Sequence, residues 1–328
     1  MSQGDVGRAE KLLLKPCKHQ VAGHLFEEGK AGSLVDDSGH FYKPLQTGPR
    51  GQREWKFYET VQHEKQAAAA TSSTVGTGDQ NGNSSAPTPS RHSSSNGVVS
   101  QQCSPGQEPF CERNAVLLSF IPTYYGVIDL RGRHLVELED VAQQYHRPSI
   151  IDIKVGFQTW YPGAEEAYIQ RCQAKDAATT QAALGFKICG MQVYRACQMG
   201  YWRASKRWCK QLPSETVNKA LAIFANNEAG LRPSDIYAGP SGAIAQLQQL
   251  AAWFQVQQDF CFYSSSVLII YEGDAETAEE ANVSVCLVDF AHTFPSGGQR
   301  DANFIKGLSA LMSTLSVVAC SGQYLGLL

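Results

Sequence analysis

From Gln66 to Pro109 the chain contains no Leu, Ile, Phe, Tyr or Trp. A stretch of that kind buries too little surface to offset the entropy of ordering it. It predicts a disordered Ser/Gly/Asn-rich insertion at about 64–112. The fold must therefore be assembled from the sequence on either side. About 280 residues remain outside it, enough for two lobes around a sizeable core. The 43% apolar content supplies the material.

Charge and targeting signals narrow the class. The 28 Lys+Arg against 31 Asp+Glu give a net charge of −3, which argues against a general nucleic-acid binder or a polybasic membrane protein. No stretch approaches the ~20 apolar residues of a membrane span. The N-terminal MSQGDVGRAEKLLLKPCKH has one three-leucine run, short of the ~7–15 apolar residues of a signal-peptide core. The ten cysteines include no C-x-x-C pair, so they read as reduced thiols packed as small hydrophobes. The expectation is an intracellular protein of nucleus, cytoplasm or both, with no nucleic-acid partner and no membrane span. The sequence does not name protein partners for the insertion.

Periodicity organises the rest. Val21–Phe26 and Ser33–Leu45 read as strands, the second broken by a turn at Asp37-Ser38-Gly39. Arg50–Gln62 reads as a helix, with Glu54, Phe57/Tyr58 and Val61 at helical spacing. Thr123–Val141 reads as two strands around a turn at Leu130–Gly132. A first lobe, 1–143, is thus a small antiparallel sheet with one helix. The second, 144–328, holds a strand at Pro148–Gly156, a polar helix at about 163–175 and a strand at Gly185–Arg195. A helix follows from an N-cap at Ser214 to about Asn226, then an amphipathic one over Gly242–Gln257. Strands at Ser264–Glu272 and Val283–Phe290 precede a last helix over Ala302–Val318.

Four constellations carry charge where chemistry could use it. In IIDIKVG, Asp152 and Lys154 project to one face of a strand and Ile151, Ile153 and Val155 to the other. A carboxylate and an ammonium side by side suit phosphoryl transfer; an ordinary surface ion pair reads the same way. In LVDFAH, an apolar strand delivers Asp289 at its end, where it either holds Mg²⁺ against phosphates or caps a turn. Ala291 stands where protein kinases have the glycine of Asp-Phe-Gly. Lys43 on a strand and Glu54 on the next helix resemble the kinase pair that holds nucleotide phosphates, though either alone is equally a solvated charge. Glu139-Asp140-Val141 joins the lobes, as adenine-reading hinge or plain linker. No Walker A or G-x-G-x-x-G occurs. His146-Arg147-Pro148 carries proline where a protein kinase has its catalytic Asp.

Pro148-x-x-x-Asp152-x-Lys154-x-Gly156 resembles the signature of the inositol polyphosphate kinase family. Arg50-Gly51 with Glu54, Phe57 and Tyr58, then Glu139-Asp140-Val141, Gly185-Phe186 with Val193-Tyr194, Ser265-Ser266-Val267-Leu268 with Tyr271-Glu272, and Asp289-Phe290-Ala291-His292 resemble its other motifs, in its order. Val267 departs from the family's leucine. VAGH, LVDDSGxFYKPLQ and TWYP resemble the plant multikinase branch. The resemblance implies an α+β, bilobal kinase-like fold with ATP in the cleft between a small antiparallel-sheet lobe and a larger one.

It also implies roles. Lys43, oriented by Glu54, contacts ATP phosphates; the backbone of Glu139 and Val141 holds adenine; Asp152 touches ribose or the accepting hydroxyl. Lys154 faces the transferred phosphate and the substrate. Asp289 carries Mg²⁺, with Ser266 nearby, and His292 borders the inositol site. Arg171 and Lys175, at i, i+4 on one helix, bind substrate phosphates with Gln170 and Lys187. The cluster Arg203, Lys206, Arg207 and Lys210 borders the substrate site, binds an acidic partner, acts as a nuclear signal or is plain surface charge. The expected activity is stepwise phosphorylation of soluble inositol 1,4,5-trisphosphate to tetrakis- and pentakisphosphate with ATP and Mg²⁺. The rivals are a trisphosphate 3-kinase, a hexakisphosphate kinase and a nucleotide-binding scaffold. The arm from Phe157 to Leu184 is short, which favours an open, permissive pocket.

Overall fold

The computed structural model describes residues 13–23, 32–74 and 110–321, with backbone alone at 64–74 and 110–113. The first lobe is built on an antiparallel sheet of β1 (Lys15–Pro16), β2 (Leu34–Val35), β3 (His40–Pro44), β4 (Tyr124–Leu130) and β5 (Arg133–Glu139), in the order β1-β2-β3-β5-β4. The turn between β2 and β3 is fastened by Asp36, whose carboxylate accepts from the Ser38 and His40 amides. Residues 21–23 are not a strand, and 24–26 lie outside the described residues.

Helix α1 (Pro49–Thr74) opens on a proline, which loses no intrahelical bond there. It buries Glu54, Phe57, Tyr58 and Val61, the face its spacing predicts. Gly51 has no room for a side chain, because a Cβ would collide with the Gln46 carbonyl. The helix runs beyond the expected start of the insertion. Ala67–Ala70 explain this, since alanine has the highest helix propensity. Helix α2 (Phe110–Phe120) likewise takes up the far edge of the insertion; it was not expected from the sequence. The intervening 75–109 lie outside the described residues.

The second lobe centres on β6 (Pro148–Val155). Helices α3 (Glu166–Ala177) and α4 (Thr180–Leu184) form the arm; β7 (Phe186–Arg195), β8 (Gly200–Arg203), α5 (Lys206–Gln211), α6 (Val217–Phe224), α7 (Pro233–Tyr237) and α8 (Ala243–Val256) follow. After them come β9 (Phe260–Phe262), β10 (Ser266–Glu272), β11 (Ser284–Val288), β12 (Thr293–Pro295) and α9 (Ala302–Cys320). The main sheet is antiparallel in the order β11-β10-β6-β7-β8, and β9 pairs with β12. Ser214 does not cap α6: it opens a 3₁₀ turn, Ser214–Thr216, that feeds the helix.

Alternation decides the two faces of this sheet. Ile151, Ile153, Val155, Val267, Ile269, Tyr271, Val285 and Leu287 are buried in the main core. Helices α6, α7 and α8 pack on α9, which also touches β6. By length and composition α9 could cross a membrane. Its inner side (Phe304, Leu308, Leu311, Leu315, Val318) is buried in the core, while Lys306, Ser309, Ser313 and Ser316 interrupt the outer one, so it reads as the core helix of this lobe. The opposite face of the sheet carries Ile150, Asp152, Lys154, Ser266, Leu268 and Ile270, and it looks into the cleft between the lobes. The described cysteines are all free thiols.

Candidate active site

Pairing register assembles the floor of the cleft. Asp152 lies opposite Leu268 and Lys154 opposite Ser266 in β10, while Lys154 faces Lys187 across the β6–β7 pair. The strand ends at Gly156, whose φ of +108° suits glycine. A Cβ there would strike the Asn303 amide.

The cleft has a volume of about 490 Å³. At one end its walls are aliphatic and aromatic: Phe41, Leu138, Val141, Ala142, Ile150, Leu268, Ile270 and Val288. At the other end stand Lys43, Arg50, Asp152, Lys154, Asp289 and His292. Between the lobes, the Glu139 amide donates to the Thr123 carbonyl at 2.8 Å and the Asp140 amide to the Gly39 carbonyl at 2.8 Å. The Glu139 N–H is therefore engaged by the fold.

Lys43 is the bridge. Its ammonium donates to Glu54 Oε1 at 2.6 Å and to Asp289 Oδ1 at 2.6 Å. Burial alone would depress the lysine, but the two carboxylates hold it well above its ordinary value. Glu54 is wholly buried, so loss of Lys43 would strand a charge in the interior. Asp289 sits just past β11 with φ of +68°, and Ser264, just before β10, has φ of +60°. Non-glycine residues seldom adopt this region, and such backbone clusters at functional sites. The Ser265 hydroxyl fixes the turn by donating to the Asp289 carbonyl at 2.7 Å.

Asp152 is buried, and its Oδ1 and the Ser266 hydroxyl have no hydrogen-bond partner among the described residues. Burial and the neighbouring Asp289 charge push its carboxyl up to about 6. Among the described residues, no group of three His, Cys, Asp or Glu stands ready to ligate a metal. Asp289 with the Ser266 hydroxyl offers oxygen donors that suit Mg²⁺ shared with nucleotide phosphates.

Lys154 reaches toward the arm, donating to the Ser264 carbonyl at 2.6 Å. The Ser264 hydroxyl donates to the Thr159 carbonyl at 3.0 Å. The Thr159 amide and hydroxyl donate to the buried Asp176 carboxylate at 3.0 and 2.8 Å. Helix α3 is thus hung from β6 by a continuous polar chain. Burial, with the Lys154 and Lys175 ammoniums nearby, lowers Lys187, which pairs with Lys154 across β6 and β7. Arg171 and Lys175 are exposed on α3 and do not line the cleft. Gln170 is exposed and donates to Glu166 on its own helix at 3.0 Å.

His292 stacks with Tyr161 at 5.7 Å and Tyr168 at 6.2 Å. Burial, with Arg50, Arg53 and Lys154 nearby, pushes it down to about 4, so the ring is neutral at physiological pH. Arg50 lies over Tyr168 and Arg53 over Tyr161 and Phe294. The Arg53 guanidinium also donates to the Ala291 carbonyl at 3.0 Å. Sequence reasoning gave neither arginine a role, although Arg50 stands inside a quoted motif. Apart from Val141, the apolar wall has no signal in the sequence, because its residues come from five strands and the inter-lobe linker.

A two-lobed frame with a lysine–glutamate pair, a strand-end aspartate and an apolar pocket beside a linker defines a kinase of the small-molecule type. The sequence model of the family described as inositol polyphosphate kinase matches residues 135–316. The chain is 32% identical over 317 residues to inositol polyphosphate multikinase alpha of Arabidopsis thaliana, covering 92% of this chain and 95% of that one. It is 28% identical over 285 residues to the Mus musculus inositol polyphosphate multikinase, covering 84% of this chain and 59% of that one. A solved inositol phosphate multikinase is 32% identical with a TM-score of 0.56, covering 62% of this chain and 91% of the other. The fold also matches the Saccharomyces cerevisiae multikinase in complex with ADP and Mn²⁺, at 23% identity and a TM-score of 0.52, covering 62% and 93%. The chain belongs to the inositol polyphosphate kinase family, and it has that family's bilobal α+β fold.

Proposed function

We propose that the protein is an ATP-dependent inositol polyphosphate multikinase, converting inositol 1,4,5-trisphosphate stepwise to tetrakis- and pentakisphosphate. The observation that carries this reading is Lys43 held between Glu54 and Asp289, where the apolar end of the cleft meets its charged end. Adenine takes the apolar end, with the Glu139 carbonyl and the Val141 amide along its edge. The ATP phosphates then lie against Lys43. Asp289, with Ser266 nearby, would hold a divalent ion, which would supply neutralisation of phosphate charge.

Transfer of the γ-phosphoryl to an inositol hydroxyl passes through a loose transition state, so positioning and charge neutralisation dominate. Lys154 stabilises the moving phosphoryl group. Asp152, raised and unpartnered on one oxygen, accepts a hydrogen bond from ribose or from the attacking hydroxyl. Arg171, Lys175 and Lys187 meet the phosphates already on the ring, and His292 borders it as a neutral donor. The arm between Phe157 and Leu184 is two short helices, α3 and α4. It leaves room for several inositol phosphates in more than one orientation.

The test is incubation with Mg²⁺-ATP and a panel of inositol phosphates, with products resolved by isomer. Tetrakis- and then pentakisphosphate are expected from the trisphosphate. A single addition that stops points to a 3-kinase, and ATP binding without inositide-dependent turnover points to a scaffold.

A further inference from the structure

Residues 17–23 begin in the first lobe and end on the second. The Cys17 amide donates to the Ser33 carbonyl at 3.0 Å, which continues the β1–β2 edge. From there the chain crosses to the β7–β8 edge of the large sheet. His19 Nδ1 lies 2.9 Å from the Gln192 amide nitrogen and its ring 5.5 Å from that of Tyr201. The Val21 carbonyl packs so closely on Gly190 that a Cβ there would collide with it. Two cations fasten the crossing: Arg203 donates to the Lys18 carbonyl at 2.7 Å and Lys206 to the Gly23 carbonyl at 3.3 Å. Both are exposed, and neither lines the cleft.

This segment is also part of the cleft, whose lining runs without a break from His19 to Gly23. Val21 packs in one apolar cluster with Val141, Ala142, Ile150, Leu268 and Ile270, the residues of the apolar end. We propose that residues 17–23 form a strap that closes the adenine pocket, and that Arg203 and Lys206 are positioning residues for ATP. The reason is geometric: a strap tied to both lobes holds Val21 against the pocket, and its second tie is two exposed side chains donating to backbone carbonyls. Part of the basic cluster is thereby assigned to nucleotide binding. Arg207 and Lys210, in the helix that carries Lys206, hold no strap carbonyl among the described residues and serve as the internal control.

The inference rests on the cleft being the nucleotide site. The measurement is ADP affinity by calorimetry on the full chain, with the KM for inositol phosphate and the melting temperature alongside. Arg203→Ala with Lys206→Ala is expected to weaken ADP about five- to tenfold, while the KM for inositol phosphate stays. Arg203→Lys, which keeps a donor, should restore most of the affinity. Val21→Ala should weaken ADP by a similar factor, about that of one aliphatic contact. ADP should also slow tryptic cleavage after Lys18 in the wild type. Arg207→Ala with Lys210→Ala should leave affinity unchanged. ADP affinity that does not move in the Arg203/Lys206 variant overturns the proposal. So does an equal rise of both constants with a lowered melting temperature, which marks general loosening. A wild-type protein that binds no ADP sinks the nucleotide reading itself.

Discussion

The two ends of the cleft are built by different means. The apolar end collects one or two apolar side chains each from β3, β5, the inter-lobe linker, β6, β10 and β11. The charged end concentrates its groups on neighbouring positions: Asp152 and Lys154 two apart on one strand, Asp289 and His292 on one turn. Apolar contact is non-directional and tolerates exchange of one aliphatic residue for another. Charge transfer demands particular groups within hydrogen-bond reach. Binding of nucleotide and chemistry on it should therefore come apart under mutation.

The sharpest break is Lys154→Ala. It removes a contact to developing charge and should lower kcat by about 10²–10³ while ADP affinity holds; near-full kcat in steady-state kinetics would remove Lys154 from the chemistry. Next is the pair Arg171→Ala with Lys175→Ala, expected to raise the KM for inositol phosphate by about tenfold or more with little change in kcat. A loss confined to kcat would move these residues out of substrate binding. At the opposite end, Leu268→Ala should raise the KM for ATP by about five- to tenfold and spare the KM for inositol phosphate. Equal effects on both would erase the distinction between the ends.

The smallest effect is one of pH. His292 is held below its ordinary value in the folded protein, to about 4, so the unfolded chain binds the proton more readily. Stability from this group is full above pH ~6.5 and is lost as pH falls toward 4. His292→Gln should flatten that loss, by about 1 kcal/mol after allowance for its partial exposure. Melting temperatures recorded between pH 7 and pH 4.5 check it, and parallel curves for both proteins would discount the burial of the ring.

Two readings of the sequence changed, each for its own physical reason. The edge of the polar insertion at 64–74 is helical, where the Ala67–Ala70 run favours a helix, and 110–112 open a second helix, Phe110–Phe120. The strand expected at Val21–Phe26 is instead, at 21–23, a crossing that lies against Gly190. Its apolar side chains are used, but on the pocket rather than in a ladder.

The sequence by itself determined the alternating faces of β6, the turn at Asp37–Gly39, the buried stripe of α1, and the close spacing of Asp152 with Lys154 and of Asp289 with His292. These depend on period and on local turn chemistry, which act between near neighbours. Tertiary structure alone decided that Lys43 meets Asp289, 246 positions away, that the Glu139 amide is engaged by Thr123, that Asp176 hangs α3 from β6, and that the N-terminal segment spans both lobes. Each joins groups far apart in the chain, and only the register of the sheets and the burial of shared apolar faces brings them within reach.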